Sequence, residues 1–167
     1  GLIVLIWTFG PYSGAHFNPV VSIIMMLMGK LTKYETLLFI VCQVIGGIFG
    51  VIVANIIFDL EIIFISDNKR LTIGIFISEI IATFGLLLTI LLVSKQKPEM
   101  VAVVVGLYIG AAYWFTSSTS FSNPAVTIAR TLSNTFTGII PSDVIPFIFA
   151  QLIGTLIVYF IYKHVYE

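Results

Sequence analysis

Two asparagine–proline pairs carry most of the chemistry that this chain could perform. Asn18-Pro19 lies in the stretch SGAHFNPVVS (residues 13–22), and Asn123-Pro124 lies in FSNPAVTIAR (residues 121–130). Asparagine is a preferred helix N-cap and proline a preferred first helical residue, so each pair is a signal to start a helix. What such a start offers is recognition rather than bond making. Amide donors and the positive end of the helix dipole repel cations and can bind the oxygens of a neutral hydroxylated molecule. A single Asn-Pro dipeptide is an ordinary turn signal. Two copies with matching followers are more than that.

The other reactive side chains make no constellation. Cys42 is the single cysteine and lies in an apolar run, which excludes a disulfide framework or a cysteine metal site. His16 and His164 are too few and too far apart to argue for a metal site. Glu79 sits inside an apolar run, where an ionisable group is costly and points to function. It has no nucleophile, base or metal partner in view, so neither an enzyme nor a cofactor is expected.

The elements that must position these residues follow from composition. Of 167 residues, 59% are hydrophobic and only 10% are charged, with a mean hydropathy of +1.11. A soluble domain needs far more charged surface than this. A hydrocarbon core of ~30 Å needs roughly 17–25 residues of helix. Four runs reach or approach that length: 37–58, 73–93, 100–115 (short but extendable) and 144–162. The reading is an all-α membrane protein forming a single domain over residues 1–167, with the lipid bilayer as its first partner. The formal net charge is zero, so nothing suggests nucleic acid. The chain opens on GLIVLIWTFG, about half a spanning helix with no initiator methionine or basic leader, and is expected to continue upstream.

Each Asn-Pro pair opens an apolar stretch of about eleven residues, 19–29 and 124–134, or ~16 Å of helix. That is half a membrane. Two such pieces end to end make one crossing, so both are expected to be re-entrant half-helices. With that folding, Lys30, Lys33, Lys95, Lys97 and Lys163 share one face and Lys69 and Arg70 the other. The five-lysine face is expected to be cytoplasmic. A repeat supports the same architecture. NPVVSI (residues 18–23) matches NPAVTI (123–128), and CQVIGGI (42–48) resembles AQLIGTL (150–156). An odd number of spans per copy inserts the copies in opposite directions, as in many transport proteins. Head-to-head half-helices would form an electropositive waist at mid-membrane, where irregular backbone is tolerated only inside protein or along a wet cavity.

The paired loops SGAHFNPVVS and SFSNPAVTIAR resemble the signature loops of the aquaporin (major intrinsic protein) family. The resemblance covers essentially the whole chain, from the second half of the family's second membrane helix to the end of its sixth. It implies an aquaporin-like inverted repeat with two re-entrant half-helices. Asn18 and Asn123 match the family's two pore asparagines, within Asn18-Pro19-Val20 and Asn123-Pro124-Ala125. Val20 departs from the usual alanine. By the same resemblance Glu79 braces the second loop through backbone hydrogen bonds, and His16 braces the first. Gln43 and Gln151 could hydrogen-bond loop backbone or simply pack between helices. Tyr113 matches either an interface aromatic or the helix-five residue of the family's selectivity constriction, and Ser120 resembles a loop contribution to it.

The departure that bears on substrate is Val126. Water-selective members carry arginine directly after Asn-Pro-Ala, whereas here the nearest arginine, Arg130, comes one helical turn later. The constriction is therefore expected to be wider and less polar. The resemblance implies a passive homotetrameric channel for water and small neutral solutes: glycerol-like polyols, and neutral metalloid hydroxides such as arsenous acid. A bacterial inner membrane is the expected location. The rival class is an ion-coupled secondary transporter with broken helices, which would need a titratable relay. Gly46, Gly50, Gly106 and Gly110 form two small-xxx-small patterns, expected to mark close helix packing.

Overall fold

A computed structural model describes residues 1–166 and is helical throughout, with no strand among the described residues. Among the described residues, four helices are long and apolar enough to cross a membrane. In chain order α1 covers Leu2–Ser13, α2 Pro19–Leu27, α3 Lys33–Ile57, α4 Ile73–Gln96, α5 Val101–Phe115, α6 Pro124–Ala129 and α7 Val144–Val165. Short 3-10 turns at Pro98–Met100 and Pro141–Asp143 lead into α5 and α7, and one at Arg130–Leu132 follows α6. The four expected spans are α3, α4, α5 and α7. Both Asn-Pro segments are short helices starting at proline.

Local signals set the ends. Thr32 caps α3 in a capping box: its hydroxyl accepts from the Glu35 amide at 3.2 Å while the Glu35 carboxylate accepts from the Thr32 amide at 2.8 Å. Thr72 caps α4 by accepting from the Ile75 amide at 3.1 Å. Gly14 closes α1 at φ 72°, a left-handed C-cap that suits glycine.

The half-helix α2 is held among α3, α4 and α7. Its Val20, Val21 and Ile24 join Leu86, Leu87, Ile90 and Leu91 of α4, Val105 of α5 and Val158 and Tyr162 of α7 in the main apolar core. The outer faces stay apolar and exposed, as with Ile45 and Phe49 on α3 and Phe149 and Phe160 on α7. Such surface suits lipid or neighbouring helices and not water.

Apart from Gly106, the small residues that bring helices together are not those marked by the sequence pattern. A Cβ on Gly154 would stand 2.7 Å from the Ile80 carbonyl and 3.1 Å from the Phe84 amide, so α4 and α7 touch backbone to backbone there. Gly47 lies against Ala125 and Ala129 of α6, and Gly106 packs on Ile3 of α1. Gly46, Gly50 and Gly110 have nothing within 4 Å. Their expected packing role within the chain is therefore corrected, because those faces point away from neighbouring helices.

Candidate functional site

The two Asn-Pro turns fold in the same way and meet. Asn18 Oδ1 accepts from the Val20 amide at 3.1 Å, and Asn123 Oδ1 accepts from the Ala125 and Val126 amides at 3.0 and 3.3 Å. Each carboxamide oxygen thus satisfies first-turn donors of its own helix. Each carboxamide nitrogen crosses to the opposite loop. Asn18 Nδ2 donates to the Ser122 carbonyl at 2.7 Å, and Asn123 Nδ2 donates to the Phe17 carbonyl at 2.9 Å. The two helix starts are therefore tied head to head by a reciprocal pair of bonds. An amide nitrogen carries two N–H groups, so each asparagine keeps a second donor beyond the cross-link.

The loop backbone carries the repeat as well. Ala15 and Phe17 have φ of 46° and 48°, and Ser120 and Ser122 have 47° and 46°. Non-glycine residues seldom adopt this region, and the same sequence of conformations precedes both asparagines. In the second loop the strain is held by Glu79. Its Oε1 accepts from the Phe121 amide at 2.8 Å, and its Oε2 accepts from the Ser122 amide at 2.9 Å and Gln151 Nε2 at 2.7 Å. The carboxylate is wholly buried, with every bond to a neutral donor.

One hydroxyl residue joins each half-helix to a spanning helix. Ser22 Oγ lies 3.1 Å from His16 Nδ1 and accepts from Gln43 Nε2 at 3.0 Å. Thr127 Oγ1 donates to the Asn123 carbonyl at 2.9 Å and accepts from Gln151 Nε2 at 3.0 Å. His16 also stacks on Phe39, with ring centroids 5.2 Å apart. Gln43 and Gln151 thus take the same place in the two repeats, each bound to the hydroxyl four residues after its asparagine. Ser22 and Thr127 were not singled out as site residues, although the shared hydroxyl position in NPVVSI and NPAVTI was a visible signal.

These elements surround a cavity of about 720 Å³. Its wall includes His16, Asn18, Gln43, Tyr113, Ser120, Asn123, Ala125 and Val126 among the expected residues. Pro19, Val20 and Pro124 do not line it. They are buried behind it, Val20 with 0% exposure, because the first helical turn packs into the core while the capping asparagine faces the opening. Glu79 and Gln151 are likewise buried behind the wall.

Arg130 also lines the cavity, although the sequence set it one turn past the constriction. The α-helix ends at Ala129 and the chain tightens into a 3-10 turn, so the Arg130 side chain can fold back. Its Nη2 donates to the Tyr113 hydroxyl at 3.1 Å, and its guanidinium carbon lies 4.3 Å from the centre of the Phe121 ring. Arg70 approaches the same ring at 5.1 Å. It is anchored by Nε donating to the Gly138 carbonyl at 2.6 Å. Burial pushes the Arg70 pKa down, the Arg130 charge pushes it further, and the Glu79 carboxylate opposes both. The wall near Val126 is thus more polar than the valine alone implied.

The profile of the family described as Major intrinsic protein matches residues 1–121. The chain is 46% identical over 155 residues to the aquaglyceroporin AqpS of Rhizobium meliloti, covering 93% of this chain and 66% of that protein. It is 27% identical over 135 residues to an aquaporin-like protein of Haemophilus influenzae, covering 73% of this chain and 63% of that one. Aquaporin NIP3-1 of Arabidopsis thaliana is 31% identical over 122 residues, which are 66% of this chain and 38% of the plant protein. The chain thus spans less than two thirds of the length of these relatives.

Proposed function

The chain belongs to the major intrinsic protein family and is an integral membrane protein, and from that premise we propose that it is a passive channel for water and small uncharged solutes. The observation that carries this reading is the reciprocal asparagine bridge at the cavity wall. Two helix starts meeting there place amide donors and two positive dipole ends at one level, an arrangement that opposes cations and accepts oxygen-bearing neutral molecules. Glycerol-like polyols are the favoured solutes, a choice supported by the aquaglyceroporin name of the Rhizobium relative. Neutral metalloid hydroxides such as arsenous acid belong to the same size and hydrogen-bonding class. A homotetramer in a bacterial inner membrane completes the reading, with the exposed apolar faces of α3 and α7 available to neighbours and lipid.

Ion coupling is the competing mechanism, and Glu79 is the carboxylate it would have to use. Both Glu79 oxygens are engaged in holding a loop, and the groups that bond to it are neutral amides. That fits a brace and not a relay. The family is one of channels, and no chemical transformation is proposed.

The test is stopped-flow permeability of the protein in proteoliposomes. Water and glycerol fluxes should both exceed those of empty vesicles and stay insensitive to imposed proton and sodium gradients. Val126→Arg should suppress glycerol flux and retain more of the water flux, because a permanently charged guanidinium would enter the wall at Val126. Gradient-driven uptake would assign the protein to the coupled class. Equal suppression of both fluxes would remove Val126 from the filter.

A further inference from the structure

We infer that the linker between α3 and α4 is a clasp on the exit of the second half-helix, with Arg70 as its positioning residue, setting how wide the cavity opens at Phe121; this rests on the channel reading above. The two half-helices leave their meeting point differently. After α2 only residues 28–32 precede α3, whereas after α6 the chain runs through 130–143 before α7, with nothing longer than a 3-10 turn. That longer exit is fastened by the linker. The Thr131 and Leu132 carbonyls accept from the Ser66 and Phe64 amides at 2.9 and 3.1 Å, and the Thr135 carbonyl accepts from Asn68 Nδ2 at 2.6 Å. The Ile140 amide donates back to the Asn68 carbonyl at 2.9 Å. Asp143, at the entry to α7, accepts from the Arg70 and Leu71 amides at 2.8 and 2.9 Å. Gly138 allows the close approach, since a Cβ there would run into the Ser133 carbonyl and Ser66 Oγ.

Arg70 joins this clasp to the cavity wall. Its Nε donates to the Gly138 carbonyl at 2.6 Å and its Nη2 to the Phe136 carbonyl, so one planar fork grips two carbonyls of the exit. Its guanidinium carbon also lies 5.1 Å from the centre of the Phe121 ring. Phe121 borders the cavity and Arg70 does not, so Arg70 fills space behind the wall. The ring packs on Phe147 at 5.3 Å, and its backbone amide is held by Glu79. With the main chain fixed, the place of the ring depends on what supports it from behind. Truncating Arg70 would release the exit carbonyls and leave room into which the ring can withdraw, widening the passage beside it. The effect reaches the solute through Phe121, without contact between Arg70 and the solute. Lysine would keep the charge, but a single ammonium lacks the fixed fork that holds both carbonyls.

Two measurements on the protein in proteoliposomes test this. Hydrogen exchange reads the clasp. In Arg70→Ala the peptides covering 64–68 and 138–140 should exchange about tenfold faster, the factor associated with one charge-assisted hydrogen bond. Stopped-flow permeability reads the wall: the ribitol-to-glycerol ratio should rise severalfold, because a widened passage admits a five-carbon polyol more readily. Arg70→Lys should fall between wild type and alanine in both, and Lys69→Ala, at an exposed neighbour, should change neither. Faster exchange with an unchanged ratio overturns the inference, since Arg70 would then fasten the loops without setting the wall. Unchanged exchange also overturns it, as does full recovery by lysine, which would leave charge rather than the fork in control. If Arg70→Ala does not assemble, Asn68→Ala decides the matter: it removes the bond to Thr135 and should move both readouts in the same direction, and an unchanged ratio again overturns the inference. Wild-type glycerol flux equal to that of empty vesicles would instead overturn the channel reading, while the exchange result would still decide whether Arg70 fastens the clasp.

Discussion

Glu79 shows how a single residue can be indispensable without touching a solute. Two backbone amides and the Gln151 carboxamide converge on its carboxylate, and Ser122 is one of the residues it holds at positive φ. Glu79→Gln would present an amide nitrogen where an acceptor is required, leaving a loop donor unpaired at a cost on the order of 1–3 kcal/mol. The expected outcome is a lower melting temperature and reduced assembly, with the glycerol-to-water ratio of the surviving protein roughly unchanged. Thermal unfolding in detergent and flux in proteoliposomes read the two effects separately. A variant that assembles normally yet conducts protons would make Glu79 part of the transport path. At this scale the sequence was legible where motif and chemistry coincide: Asn18 and Asn123 cap their helices, and Glu79 bonds the Phe121 and Ser122 amides. Arg130 was not legible, because its place depends on a helix ending early and on a long side chain turning back. Those are tertiary facts that residue spacing does not encode.

The half-helices were readable as elements because Asn-Pro is a local start signal, whereas their ends were not. The second was expected over residues 124–134, but α6 stops at Ala129 and continues only as a 3-10 turn to Leu132. The cause is the loop before α4. Its Phe64 amide donates to the Leu132 carbonyl at 3.1 Å, and its Ser66 amide donates to the Thr131 carbonyl at 2.9 Å. Asn55 of α3 also donates to the Leu132 carbonyl, at 2.9 Å. These partners, more than sixty residues away in sequence, answer the carbonyls that a continuing helix would have used. Helix contacts were misjudged for a related reason: a small-xxx-small pattern marks a possible close approach but not which face meets a neighbour. The distinction can be measured. Gly154→Ala should lower the melting temperature, since its Cβ would stand 2.7 Å from the Ile80 carbonyl and overpacking of this kind costs about 1–3 kcal/mol. Gly50→Ala adds a methyl group where nothing lies within 4 Å and should leave the transition nearly unmoved. Equal losses from both substitutions would mean that the backbone contact of α4 with α7 is not what distinguishes Gly154.

For the molecule as a whole, the two half-helices decide which chain ends share a side of the membrane. Because α2 turns back from its meeting point with α6, its exit at Lys30 lies on the side where α4 and α7 end. The core agrees, for Ile24 of α2 packs with Ile90 and Leu91 near the end of α4 and Tyr162 near the end of α7. Lys95 of α4 donates to the Tyr166 carbonyl at 2.9 Å, joining the ends of those two helices directly. Lys30, Lys33, Lys95, Lys97 and Lys163 therefore gather on one side, while Arg70 is fixed at the other by the Gly138 and Phe136 carbonyls. Excess lysine and arginine in short loops is retained in the cytoplasm, so the five-lysine side should face inward. Single cysteines placed by Lys97→Cys and Lys69→Cys test this in a Cys42→Ser background, since the native thiol borders the cavity. A membrane-impermeant maleimide on intact cells should label position 69 and spare position 97, and inverted vesicles should reverse the pattern. Labelling of position 97 from outside would invert the orientation. Labelling of both positions from the same side would mean that α4, which alone lies between them, does not cross the membrane.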